Sequence, residues 1–287
     1  MADQNLRQAL RTFLAEWKND LSPAWRQAIG EASPDFDAVR DDLLLRETET
    51  IFPGRRARPP VVGAPAGAHV FRALDNLAPQ NVKAVILGQD PYPQIARATG
   101  RAFEQGNLSS WSEPGKEVAS SLKAVVQALA FHRTSDPLFL QVAGGWDHVV
   151  RSLTSGSLQL EAPRALFDRW EAKGVLCINA AFTISRYVRG GGPEQEFGHL
   201  PLWRPVVIQI LRFLAQRPNR SVVFLTWGSF ARSVIQEAGL EQLPEWGRSA
   251  SAAHKRHPST PEFLEPPDPF ARANELLTQM GSSRIDW

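Results

Sequence analysis

Residues able to do chemistry stand at matching places in this chain, each just after a short apolar run. Lys83-Ala84-Val85-Ile86-Leu87 ends at Gly88, and the chain then turns through Gln89-Asp90-Pro91-Tyr92-Pro93. Two prolines lock φ and remove two backbone donors, so this segment joins neither a sheet nor a helix interior. It is a stiff loop presenting an amide, an acid and a phenol. Val175-Leu176-Cys177-Ile178 ends in Asn179, and Ser221-Val222-Val223-Phe224-Leu225-Thr226 ends in Trp227-Gly228-Ser229. A weaker run, Ser249 to His254, leads into Lys255-Arg256-His257-Pro258-Ser259. Taken singly, Asp90 is a solvated turn residue, Asn179 a turn former, Ser229 a helix N-cap and His257 a surface histidine. Ser259 with Glu262 reads equally well as a capping box. Taken together, an acid, a phenol, an amide, a hydroxyl and an imidazole at four strand ends are hard to explain as coincidence.

The elements that must position them follow from hydrophobic patterning. Apolar, partly β-branched runs with no polar face read as buried parallel strands. Helical spacing of Leu6, Leu10, Phe13, Leu14 and Trp17 predicts an amphipathic helix over 5–18. Further helices are predicted over 35–50, briefly over 69–77, over 114–131 and over 166–173, the last capped by Gly174. Others follow over 203–214, 230–238 and 270–280. Residues 134–163 read as a helical segment interrupted by turn signals, and 190–198 as a Gly-rich loop. The basic, turn-rich stretch 53–67 reads either as a solvated linker or as a DNA-facing loop.

Strands separated by helices imply right-handed crossovers and a parallel sheet. The fold class expected is α/β: a three-layer α/β/α arrangement with a four-stranded, mainly parallel, twisted sheet flanked by helices. In such sheets ligands bind at the carboxyl ends of the strands. That edge would collect Asp90, Tyr92, Asn179, Ser229 and His257.

Composition sets wide bounds. With 287 residues, 43% of them hydrophobic and 22% charged, the chain suits a soluble globular protein with a sizeable core. No apolar run approaches a membrane span, and the opening Met1-Ala2-Asp3-Gln4 lacks the features of a secretory signal. The single cysteine, Cys177, sits in an apolar run, which suggests a buried thiol in a reducing, cytoplasmic compartment. One cysteine excludes a cysteine-built cluster or structural zinc site within the chain. A net charge of +2 permits a nucleic-acid partner without requiring one.

With these residues in view, the chain resembles the family 1 uracil-DNA glycosylases. Gly88-Gln89-Asp90-Pro91-Tyr92 looks like that family's water-activating motif. Asn179, Trp227-Gly228-Ser229 and His257-Pro258-Ser259 match its remaining signatures in order, and Ser121-Leu122 resembles its phosphate-contacting serine loop. The closing Ile285-Asp286-Trp287 matches a common family ending. The resemblance runs from about His69 onward, apart from extra residues near 138–165. It implies one domain over 1–287, with a helical N-terminal extension over 1–50 and an insertion at about 138–165. It also implies a monomer that acts on uracil-containing DNA, single- or double-stranded, with no cofactor, no metal and no membrane.

The resemblance assigns roles residue by residue. Asp90 orients water and stabilises a cationic sugar; His257 donates to uracil O2 as negative charge develops there. Gln89 helps bind O2 through its backbone, Phe103 stacks on the base, Asn179 reads the N3–H and O4 edge, and Tyr92 excludes a C5 methyl. Ser121, Ser229 and Ser259 grip phosphates, a sequence-independent contribution. Two positions depart from the pattern. Position 93 is Pro where the family has His, removing a polar group near the attacking water. Position 261 is Pro where the family has a Leu wedge, leaving either Phe263 or Leu264 to replace it or the base to be flipped with less help. Alternative readings are a glycosylase for another deaminated or mismatched base, and a uracil-DNA binder with weak catalysis. A plain nucleotide-binding module lacks support, because no phosphate-cradling Gly motif follows the first strand.

Overall fold

Four strands, β1 (Ala84–Gly88), β2 (Val175–Asn179), β3 (Val222–Trp227) and β4 (Ala250–Lys255), form one parallel sheet in the order β2-β1-β3-β4. The computed structural model describes residues 3–188 and 192–287. Every residue of β1, β2 and β3 is buried, as a sheet covered on both faces requires. Alternate side chains feed two cores. Val85, Leu87, Leu176, Ile178, Val222 and Phe224 pack with α1 (Leu6–Phe13), α2 (Pro23–Ile29), α6 (Leu200–Ala215) and α7 (Ser229–Glu237). Ala84, Ile86, Val175, Cys177, Val223 and Leu225 pack with α3 (Ser120–Thr134), α4 (Gly145–Ser155), α5 (Pro163–Ala172) and α8 (Pro269–Gln279). The molecule is thus the expected α/β/α sandwich.

Register brings the strand ends level. Gly88 pairs with Asn179 across β1 and β2, and Trp227 with Lys255 across β3 and β4. Past the strands, Gly88 O and Gln89 O accept hydrogen bonds from Ala180 and Ala181 N–H at 2.9 Å, so the two loops stay joined.

Several element boundaries differ from those read in the sequence. No helix forms over 35–50. Asp35 Oδ1 instead takes the N–H groups of Asp37 and Ala38, and the backbone beyond bonds to distant partners: Arg40 N–H to Phe197 O, and Leu43 O to Leu6 N–H. Tertiary pairing here outweighs local propensity. Conversely, α2 is a helix that the hydrophobic spacing did not suggest, although Ser22 at its N-cap and Pro23 at its first position signal it. Helix α3 starts at Ser120, not near Pro114. Residues 195–199 form a π-helical turn rather than a loop, running directly into α6, while 190 and 191 lie outside the described residues. In the segment 134–163, Gly144 and Gly156 with positive φ are the two caps of α4.

The stretch 53–67 is irregular, and Arg55, Arg56 and Arg58 each bond to other parts of the protein. Arg55 is 5% exposed, is ion-paired with buried Asp20, and donates to Phe13 O and Ala15 O at 2.9 Å. Arg58 donates to Thr12 O at 2.6 Å. These side chains bolt the N-terminal segment down. Leu6, Leu10 and Trp25 are fully buried in the same core as the sheet.

Candidate active site

A cleft of about 780 Å³ opens at the carboxyl edge of the sheet. Of the sequence-predicted residues, Gln89, Asp90, Tyr92, Phe103, Ser121, Asn179 and His257 line it. Pro93 lines it as well, offering neither a donor nor a polar side chain.

Asp90 hangs from the loop after β1, half-buried, with Oδ1 accepting a hydrogen bond from Gln195 Nε2. Desolvation pushes its pKa from 3.8 up to about 7, although the Gln195 and Gln89 side chains pull the other way by bonding to the charged form. The carboxyl is therefore poised near neutrality, as a proton-handling group in a site needs to be.

His257 follows β4. Ser259 N–H points at its Nδ1 at 3.1 Å, and Ser259 Oγ lies 2.7 Å from the same nitrogen. A backbone N–H can only donate, so Nδ1 is an acceptor and the ring proton sits on Nε2. Desolvation lowers the His257 pKa, keeping the ring neutral at pH 7 with Nε2–H available to a ligand. Gly228, at φ +99°, makes room for it: a Cβ there would lie 3.1 Å from His257 Cβ.

The amide of Asn179 is 3% exposed and makes no side-chain hydrogen bond among the described residues. Gly88 decides where it lies, because a Cβ at position 88 would sit 2.3 Å from Asn179 Oδ1. Asn179 lines the cleft, so the donor and acceptor of its amide are open to a ligand.

Phe103 completes the aromatic side. Its φ is +64°, a conformation rare for a bulky residue and held here by its surroundings. Its ring meets Trp227 edge-on at 5.4 Å, and Tyr92 Oη donates to Phe103 O at 3.3 Å. Burial pushes the Tyr92 phenol up to about 12, so it stays neutral. Behind this loop Arg101, 4% exposed, bonds Asp168 and Glu171 at 2.7 Å each and Glu104 at 3.3 Å. Gln105 Oε1 accepts from Ala119 N–H at 2.8 Å, tying the loop to the start of α3 and so to Ser121.

Four predicted residues lie elsewhere. Ser229, the first residue of α7, is exposed, and so is Ser259 beside His257. Phe263 and Leu264 do not replace the wedge. Phe263 is fully buried with its ring 5.2 Å from Trp227, and Leu264 is 8% exposed in the same core. Both are apolar side chains drawn under the sheet, and Phe263 backs the ring that holds Phe103.

Gln195 was not anticipated. It comes from the π-helical turn ahead of α6, within a stretch read only as Gly-rich loop. A signal existed: an amide shortly before a strongly apolar helix, following a strand that already ends in Asn179. Among the described residues no group of three or more His, Cys, Asp or Glu is placed to hold a metal ion.

The chain is similar to known proteins. A uracil-DNA glycosylase of Deinococcus deserti is 32% identical over 270 residues, covering 93% of this chain and 87% of that protein. The chain belongs to the uracil-DNA glycosylases. Another glycosylase of this name, from Azotobacter vinelandii, is 26% identical over 272 residues, covering 93% of this chain and 94% of its own. The crystal structure of the wild-type UNG from Nitratifractor salsuginis superposes with a TM-score of 0.60 at 20% identity, covering 98% of this chain and 99% of that one. That likeness bears on the fold. No protein-family model matches the chain. The Deinococcus match is longer than the chain from His69 onward, so likeness to the glycosylases extends into the N-terminal segment.

Proposed function

We propose that this chain hydrolyses the N-glycosidic bond between uracil and deoxyribose in DNA, releasing free uracil and leaving an abasic site. It is a monofunctional hydrolase of base-excision repair. The observation that carries the reading is the pairing, across one cleft, of the half-buried Asp90 carboxyl with a neutral His257 whose Nδ1 is already engaged. Cleavage builds positive charge on the sugar and negative charge on the departing uracil. Asp90, ionised, stabilises the first and receives a proton from the attacking water. His257 Nε2–H donates to uracil O2 as the second develops. Preorganised donors of this kind typically contribute about 3–4 kcal/mol each to the rate.

A flipped base reads the rest of the cleft. Phe103 stacks on it, the open Asn179 amide pairs with N3–H and O4, and Tyr92 fills the space of a thymine methyl. A cytosine would leave that amide mispaired, which costs more than a lost apolar contact. Gln89 helps bind O2 through its backbone. Ser121 and Ser229, each in the first turn of a helix, and Ser259 hold phosphates.

We place the chain in the family 1 branch as one domain over 1–287 acting as a monomer. With Phe263 and Leu264 in the core, the loop after β4 exposes Pro261 and Glu262 but no large wedge. Single-stranded DNA, whose base flips at least cost, is then the better substrate. The test is base release in EDTA from oligonucleotides carrying uracil, a mismatched thymine or hypoxanthine, single-stranded and duplex, beside Asp90→Asn and His257→Leu. Uracil is expected from the wild type alone, faster from single strands. Release of none of the bases by the wild type would sink the reading.

A further inference from the structure

The aromatic wall of the cleft is built against the preference of its own backbone. Phe103 sits half-buried at the side of the cleft with φ +64°. For a bulky residue the left-handed conformation costs free energy over the right-handed one, so the neighbours must hold it. A relaxed backbone would swing Cβ and carry the ring away from the face that meets a base.

On both sides of Phe103 stand buried ions. Arg101 is 4% exposed and Glu104 2% exposed. Arg101 Nη1 lies 3.3 Å from Glu104 Oε1, so an ion pair spans the strained residue. The same guanidinium reaches out of the loop to α5, with Nη1 2.7 Å from Asp168 Oδ1 and Nη2 2.7 Å from Glu171 Oε2. Glu104 is held in turn by Arg72, whose Nε lies 3.6 Å from Oε2. Between the two ions, Ala102 N–H donates to Cys177 O of β2 at 3.1 Å. Residues 101, 102 and 104 are thus each fastened to a different part of the fold, with Phe103 among them.

Stability alone is a poor reason for such a cluster. Burying a guanidinium and two carboxylates costs desolvation that their attraction roughly repays, and apolar residues of like volume often hold a core as well or better. What a planar guanidinium adds is direction. Its donors meet carboxylates only in a fixed fork, which gives the loop one position relative to α5. Arg101 borders the cleft, but its side chain is 2% exposed and both Nη groups are spent on carboxylates, so it offers a ligand nothing directly.

We propose that Arg101 is a positioning residue for base recognition. Tied to Glu104 on the loop and to Asp168 and Glu171 on α5, it holds Phe103 in the left-handed conformation that turns the ring to the base. The proposal rests on the reading of Phe103 as the stacking residue, and the effect of Arg101 on a ligand passes through that ring.

The experiment measures affinity for two single-stranded oligonucleotides of one sequence. The first carries non-cleavable 2′-fluoro-deoxyuridine; the second carries a tetrahydrofuran abasic analogue, which has no base to stack. Wild type is compared with Phe103→Ala, Arg101→Met, Arg101→Lys and the double variant Phe103→Ala/Arg101→Met. Because Arg101→Met leaves buried carboxylates without their cation, Arg101→Met/Glu104→Gln/Glu171→Gln is measured beside it, alone and with Phe103→Ala, and near-UV circular dichroism checks that each variant is folded. Phe103→Ala should weaken binding of the fluoro-deoxyuridine strand by about 10- to 100-fold, the usual worth of stacking on an aromatic side chain. Loss of Arg101 should weaken it by about 10-fold, a part of that contribution, and leave binding of the abasic strand unchanged. Added to Phe103→Ala, it should weaken binding no further, because both act through one ring. Arg101→Lys, which keeps the charge but not the fork, should fall between wild type and Arg101→Met. Wild-type affinity for the fluoro-deoxyuridine strand in a folded variant lacking Arg101, equal losses on both strands, or a full further loss on top of Phe103→Ala overturns the proposal alone. Wild-type binding by Phe103→Ala overturns the stacking reading and the proposal with it.

Discussion

In the proposed mechanism Asp90 must carry charge in a place that resists it. Its pKa is raised from 3.8 to about 7 by desolvation, so the carboxylate forms only as pH climbs through neutrality. Excision should rise through about pH 7 and then level off, which a rate profile checks. The same shift opposes folding. Below about 3.8 the folded and unfolded states both bind the proton and Asp90 costs nothing. Between 3.8 and 7 the unfolded chain ionises while the folded one does not, so the cost grows, and above 7 it is complete. Asp90→Asn, which never ionises, should therefore melt higher than wild type at pH 8, with the gap closing toward pH 4. Calorimetry at both values tests this trade of stability for activity. Residues of this kind were legible in the sequence where they stand at or just past the end of a strand, as Asp90, Asn179 and His257 do. Gln195 was not, because its backbone belongs to no strand and the turn that carries it is set by tertiary contacts at His199.

Elements explain why a plausible wedge failed. The segment after His257 leads into a short 3-10 turn at Pro261–Leu264, and its two large apolar side chains turn inward. Phe263 packs against Trp227, and Trp227 against Phe103, so one contact line runs from the core to the aromatic wall of the cleft. Phe263→Ala should cost about 3–5 kcal/mol of stability, the usual loss for an emptied aromatic site. Urea unfolding measures that. Excision from single strands and from duplex should fall together, whereas a wedge would lose duplex activity selectively. The pattern of apolar residues marked Phe263 and Leu264 as noteworthy but could not say which way they faced: a loop has no period from which to read a face. Helix boundaries failed for a related reason. The 35–50 segment has apolar residues at helical spacing, yet its backbone groups find better partners in Leu6 and Phe197.

At the scale of the whole molecule, the N-terminal segment is structural. Leu6, Leu10, Leu14, Trp17 and Trp25 join the core beneath the sheet, and the Arg55–Asp20 pair locks the segment from above. Removing residues 1–29 should leave a chain that fails to fold cooperatively, seen as loss of near-UV circular dichroism and of excision. The α/β/α layering was readable from four apolar runs alternating with helices. The use of the basic stretch 53–67 was not, since charge in a turn looks the same whether it meets phosphate or a buried carboxylate.

The strand order has one more consequence. Asp90 leaves β1 and His257 leaves β4, with β3 lying between them. Two strand spacings amount to about 10 Å, and backbone hydrogen bonds hold that interval far more stiffly than side-chain packing could. The sheet is in effect a calliper whose jaws are the two groups we propose to react, and β3 is its fixed beam. Tuning such an enzyme by substitutions around the cleft adjusts the tips of the jaws; only a change that loosens the edge strand β4 alters the gauge itself.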